Sequence, residues 1–81
     1  MSYYLVVFRS RSETMKFVNI LNSYGSIVSI INTPRQLSIS CGISAKISPA
    51  SLGLAKDILK RRQFYTFAGI YYSSENEYKL A

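Results

Sequence analysis

Tyr3-Tyr4-Leu5-Val6-Val7-Phe8-Arg9-Ser10-Arg11-Ser12-Glu13 is the stretch whose reading decides the fold, because it runs an unbroken apolar segment straight into a helix start. Aromatic and β-branched residues from Tyr3 to Phe8 suit a pleated surface, and the lack of polar alternation predicts a strand covered on both faces or central in its sheet. Ser10 followed three residues later by Glu13 has capping-box spacing. In that motif the two side chains satisfy N–H groups that have no partner within the helix. Met15, Phe17, Val18, Leu21 and Tyr24 then recur at helical intervals, and Gly25 is placed to end the helix.

Outward from this unit the pattern repeats. Ile27 to Ile31 is short and β-branched, bounded by Gly25 and by Asn32-Thr33-Pro34, and reads as a second strand. Ile43 to Ile47 is apolar at 43, 45 and 47 and makes a third, with one face on the core. Ser48-Pro49 starts a second helix, since proline at the first helical position loses no hydrogen bond. Leu52, Ala55, Ile58 and Leu59 form its buried stripe, and Lys60-Arg61-Arg62 ends it where cations are favoured. Thr66 to Tyr72 is the fourth strand, and residues 73–81 read as a polar, frayed tail. Strand, helix, strand, strand, helix, strand predicts an α+β, ferredoxin-like βαββαβ sandwich: a four-stranded antiparallel sheet with two helices on one face. That fold hosts many functions, so function has to be argued from particular residues.

Composition narrows the choices. A chain of 81 residues, nearly half of them hydrophobic, is expected to form one domain over residues 1–81. It has a single cysteine and no histidine, which leaves no internal disulfide, no cysteine/histidine zinc site and no histidine base for cysteine hydrolysis. No cofactor or metal is therefore expected. The apolar run from Met1 to Phe8 is cut off by Arg9 and Arg11, too early for a signal peptide or a bilayer span, so a soluble protein of the reducing cytoplasm is expected. Ten Lys/Arg against four Asp/Glu make a basic protein of net charge +6, which suits an acidic partner such as RNA, a phosphorylated ligand or an acidic protein.

The one thiol, Cys41, lies in Thr33-Pro34-Arg35-Gln36-Leu37-Ser38-Ile39-Ser40-Cys41-Gly42. Pro34 fixes its own φ and pushes Thr33 towards extended geometry, and Leu37 and Ile39 alternate with Ser38 and Ser40 as a half-buried approach to the cysteine would. Gly42 permits a backbone conformation that a Cβ would resist. A proline-led turn that folds back would bring Arg35 near the thiol, and Ser38 and Ser40 offer hydroxyl donors. A thiolate needs positive potential or N–H donors and access to solvent, and this segment can supply all three. Such a thiol needs no histidine to accept a sulfur or selenium atom from one protein and pass it to another, as a persulfide or selenosulfide adduct. That makes it a carrier, not a classical enzyme. In the alternative reading Cys41 is a structural hydrophobe. The protein is then a binding module for RNA or a protein, with Phe8 and Phe67 on central strands as a stacking platform, or a homodimer closed through its aromatic sheet face.

The chain resembles the selenium/sulfur (Se/S) carrier protein-like domains over nearly its whole length. The likeness rests on the opening Tyr3-Tyr4-Leu5-Val6-Val7-Phe8, on Thr33-Pro34-Arg35 followed by Ser38-Ile39-Ser40-Cys41-Gly42-Ile43, on Ser48-Pro49, and on Gly69-Ile70-Tyr71. The Thr-Pro-Arg and Ser-Cys-Gly pair is its specific part. The resemblance implies a carrier role for Cys41, with Arg35 and Gly42 shaping the site and with a protein donor and a protein acceptor as partners. The Cys-Pro-x-Pro helix start of better understood sulfur-relay carriers is absent.

Overall fold

The computed structural model describes residues 2–37, 42–74 and 77–81. Its elements are β1 (Tyr3–Phe8), α1 (Arg11–Ser23), β2 (Val28–Asn32), β3 (Ile43–Ile47), α2 (Leu52–Arg61), β4 (Phe67–Ser74) and β5 (Glu77–Leu80), with short 3₁₀ turns at Arg35–Leu37 and Pro49–Ser51. The five strands form one antiparallel sheet in the order β2-β3-β1-β4-β5. Five strands replace the expected four, because residues 77–80 pair with β4 where a frayed tail was expected.

β1 lies at the centre of this sheet, and its apolar run is used on both faces. Val6 and Phe8 join the core with Phe17, Val18 and Leu21 of α1 and Ala55 and Ile58 of α2, while Leu5 and Val7, on the opposite face, are also fully buried. A strand buried on both sides cannot carry polar alternation, which accounts for its sequence. Phe8 packs against Phe17, Phe64 and Phe67 at ring-centre distances of 5.3, 5.0 and 5.7 Å. Because Phe8 is sealed in the core, it is not part of an open stacking platform, and the expectation of one built on Phe8 and Phe67 is corrected. A strand shows its alternate residues to opposite faces, and position 8 falls on the side covered by the helices.

Ser10 caps α1 from extended geometry, and its Oγ accepts from the Glu13 N–H at 3.3 Å. The box is only half formed. The Glu13 carboxylate turns away to accept from the backbone N–H groups of Tyr65 (2.9 Å) and Thr66 (2.7 Å) and from the Thr66 hydroxyl. The buried stripe of α1 is Thr14, Phe17, Val18 and Leu21, whereas Met15 and Tyr24, expected on it, are exposed. Thr14 can be buried because its hydroxyl donates back to the Ser10 carbonyl at 3.0 Å. The helix stops as expected at Gly25: Ser26 N–H donates to the Leu21 carbonyl and Gly25 N–H to that of Asn22, the pairing of a Schellman end.

Ile27, expected to open the second strand, is outside β2 and 87% exposed. Ser48 is in extended geometry before Pro49 but its hydroxyl caps nothing; a 3₁₀ turn leads into α2. Ala55 and Ile58 are buried on α2, and Leu52 and Leu59 are partly buried against the same core. The Asp57–Arg61 ion pair on its outer face (3.2 Å) is well exposed and contributes little to stability.

β5 is held by residues distant from it in sequence. Val7 pairs with Gly69 and Phe8 with Phe67, so the ladder shifts by one residue there. Gly69 takes φ +147°, and a Cβ on it would lie 3.0 Å from Leu80 Cδ1 and 3.3 Å from Tyr71 Cε2. Leu80 thus uses space that only a glycine leaves, while the Tyr78 hydroxyl bonds that of Tyr3 at 3.0 Å and Ala81 N–H donates to the Ile70 carbonyl.

Candidate functional site

The Cys41 segment closes the β2–β3 hairpin. The ladder runs from Val28↔Ile47 to Asn32↔Ile43, and one more bond, Thr33 N–H to the Gly42 carbonyl at 3.0 Å, clamps the loop of residues 34–41 at its base. The Thr33 and Ser44 hydroxyls bond each other at 2.6 Å, which lets Ser44 be fully buried. Gly42 has φ +89°, in the left-handed region where L side chains are strained, so a glycine is required at the point where the chain rejoins β3. Pro34 does lead a turn: Leu37 N–H donates to the Pro34 carbonyl at 3.1 Å, and Arg35–Leu37 is 3₁₀. The extended approach expected from Leu37 to Ser40 is therefore corrected at Leu37, because the φ that proline fixes is also that of a helical turn, and residues 38–40 of it lie outside the described residues. Arg35 is exposed. Ser38, Ser40 and Cys41 lie outside the described residues.

One participant is not visible in the chain order. β1 is antiparallel to β3, so the end of β1 and the first turn of α1 arrive beside the base of the loop. Arg11 Nη1 lies 3.9 Å from where a Gly42 Cβ would be. Read along the sequence, Arg11 is only the residue after a helix cap. Its neighbourhood with Gly42 comes from strand pairing, and no local signal announces it. The Arg9 N–H donates to the Thr66 carbonyl at 2.7 Å, which ties the link after α2 to the same end of the sheet. Arg9, Arg11, Arg35, Lys60, Arg61 and Arg62 are thereby gathered on segments at this end. Of the acids nearby, Glu13 is held by Tyr65 and Thr66, and Asp57 is paired with Arg61. Among the described residues cations outnumber acids on these segments, which favours an approaching anion.

Burial alone would raise the Glu13 pKa. The hydrogen bonds from Thr66 and Tyr65, with the charge of Lys16, outweigh it and hold the carboxyl below the usual glutamate range. A lowered folded-state pKa means that the ionised group stabilises the fold above the unfolded pKa, and that this is lost as the pH falls through the folded value. Glu13→Gln is expected to flatten the loss of stability below about pH 5. Urea midpoints measured at a series of pH values check this; an acid-side slope equal to that of the wild type contradicts it.

A family model described as "Putative Se/S carrier protein-like" matches residues 3–72 of the 81. The chain belongs to this family. Membership in the Se/S carrier protein-like family covers both helices and β1 to β3, and it includes the whole hairpin loop with Thr33, Pro34, Arg35, Ser38, Ser40, Cys41 and Gly42. A carrier family implies partner proteins in general. No curated protein and no solved structure matches the chain. Among the described residues no helix is long and apolar enough to cross a membrane, and no group of three or more His, Cys, Asp or Glu could hold a metal ion.

Proposed function

We propose that this Se/S carrier-like protein carries one sulfur or selenium atom on Cys41, between a donor and an acceptor protein in the cytoplasm. The observation that carries the reading is the setting of Gly42, the neighbour of Cys41. It forms the clamped base of the loop and has the Arg11 guanidinium beside it. Thr33 and Pro34 fix that base, Arg35 adds positive charge to the loop, and Ser38, Ser40 and the Gly42 backbone are the donors assigned to the sulfur. Cations favour both the attacking thiolate and its departure at the second step. The order β2-β3-β1-β4 around the helix pair supports a ferredoxin-like core, with β5 as an added edge strand.

In the loading step the Cys41 thiolate attacks the outer sulfur of a donor persulfide, R–S–S–H. The donor S–S bond breaks, R–S⁻ leaves with the electron pair, and Cys41–S–S–H forms with the proton kept on the terminal sulfur. An acceptor thiolate then attacks that terminal sulfur and Cys41 leaves as a thiolate, so no external oxidant or reductant is consumed. A selenium cargo follows the same course as Cys41–S–Se–H.

Cys41 is the only thiol, so the bulk alkylation rate reports on it alone. At neutral pH and low salt the protein is expected to react with iodoacetamide faster than an unfolded peptide spanning residues 33–43, and Arg11→Gln combined with Arg35→Gln should bring the rate back towards that of the peptide. A wild-type rate equal to or below that of the peptide contradicts the reading.

A further inference from the structure

At the opposite end of the sheet from the Cys41 loop lies a cavity of about 520 Å³, within the size range of small-molecule sites. The start of β1, the α1–β2 link, the end of β3 and the turn before α2 line it, and it is open to solvent on one side. β3 separates it from Gly42 by about 14 Å of strand. It is therefore not part of the thiol site, and nothing said of Cys41 bears on it.

The chemistry of its lining is specific in sign. Among the described residues Lys46 is the one charged side chain on the lining, and no carboxylate lines it. The Lys46 ammonium sits 4.5 Å over the Tyr3 ring, and that ring is fixed in turn by its hydroxyl bond to Tyr78. Ser26 and Ser51, brought from the two helix-flanking links, bond each other through their hydroxyls at 2.7 Å and hold one wall together. The Ser48 hydroxyl, which makes no cap bond, is a further donor on the lining. Against these stands an apolar surface: the Tyr3 ring and Ile27, which is 87% exposed at the rim.

We infer that this cavity binds a small organic anion, with a carboxylate or phosphate on Lys46 and the serine hydroxyls and with an apolar or aromatic body against Tyr3 and Ile27. A lining that holds one ammonium, several serine hydroxyls and, among the described residues, no carboxylate selects for negative charge, and the apolar wall selects against a bare inorganic ion. The site is separate from sulfur carriage and operates whether or not Cys41 is loaded.

Phenyl phosphate titrated into ¹⁵N-labelled protein is the test. Saturable shift changes are expected at Ser26, Ile27 and Ser48, with inorganic phosphate and benzyl alcohol each weaker by about tenfold or more. Benzoate in place of phenyl phosphate tells a carboxylate from a phosphate preference, and saturable binding of either one at these residues supports the site. Lys46→Gln, on an exposed strand position, should weaken phenyl phosphate binding by about tenfold, and Ile27→Asp at the rim should do the same while leaving the rest of the spectrum in place. The inference is overturned if neither phenyl phosphate nor benzoate saturates at millimolar concentration, if the shifts map instead to Arg9, Arg11 and Arg35, if inorganic phosphate binds as well as phenyl phosphate, or if Lys46→Gln binds as the wild type does.

Discussion

Phe8→Ala is expected to remove about 3–5 kcal/mol of folding stability. Domains of this size hold on the order of 5–10 kcal/mol in all, so the variant should be largely unfolded at modest denaturant. The size of the effect follows from the position of the ring. Phe8 is fully buried on the central strand and is in ring contact with α1, with the α2–β4 link and with β4, through Phe17, Phe64 and Phe67. Few alternatives exist for filling the space, because Phe17 and Phe64 already meet each other at 5.9 Å and Phe67 is anchored by the β1–β4 ladder. Guanidinium unfolding followed by circular dichroism measures the loss. A change below about 1 kcal/mol would mean that the aromatic cluster does not hold the helices to the sheet.

Cys41→Ser is expected to abolish loading with sulfur or selenium entirely and to leave stability within about 1 kcal/mol of the wild type. The two halves of this prediction separate the competing accounts of the cysteine. A structural cysteine packed as a small hydrophobe loses packing and gains a polar group on substitution, so its variant is destabilised while ligand or partner binding persists. A carrier thiol loses the only atom that can form the S–S or S–Se bond, and serine cannot replace it, because its hydroxyl is far less acidic and forms no stable bond to sulfane sulfur. Loading followed by mass spectrometry and stability followed by denaturant, on the same two proteins, give both answers. Wild-type loading in Cys41→Ser would reject the carrier assignment outright.

Much of the fold was legible because its determinants are local. The even hydrophobicity of Tyr3 to Phe8 announced a strand buried on both faces. The Gly25 stop of α1, the alternation in β3 and the apolar stripe of α2 reflect rules that act over a few residues. β5 was missed because its stability comes from elsewhere. Tyr78 and Leu80 look like ordinary members of a polar tail until Gly69 and Tyr3 are placed beside them by the β1–β4 register. Thr14 and Ser44 were unreadable as buried positions for a related reason: a hydroxyl bond, to the Ser10 carbonyl and to Thr33 respectively, helps admit each to the interior. The split of Glu13 from its capping box is likewise a tertiary event, since the link after α2 offers it three donors in place of one.

The candidate site divides in the same way. Thr33, Pro34 and Gly42 could be picked out from the chain because proline and glycine restrict backbone geometry wherever they stand. Arg11 could not, since its approach to Gly42 exists only once β1 and β3 are paired. The cavity around Lys46 was also invisible, because its walls come from four separate segments that only the fold brings together.

The central claim is that Cys41 both takes up and gives up its cargo. An intact-mass time course tests it most directly. The protein is incubated with a cysteine desulfurase and cysteine, separated from them, and then exposed to a small-molecule thiol. The account predicts a gain of the mass of one sulfur atom, mapped to the peptide that contains Cys41, followed by return to the starting mass as the thiol takes the sulfur away. A protein that gains no mass under these conditions, or whose added sulfur lies away from Cys41, would contradict it.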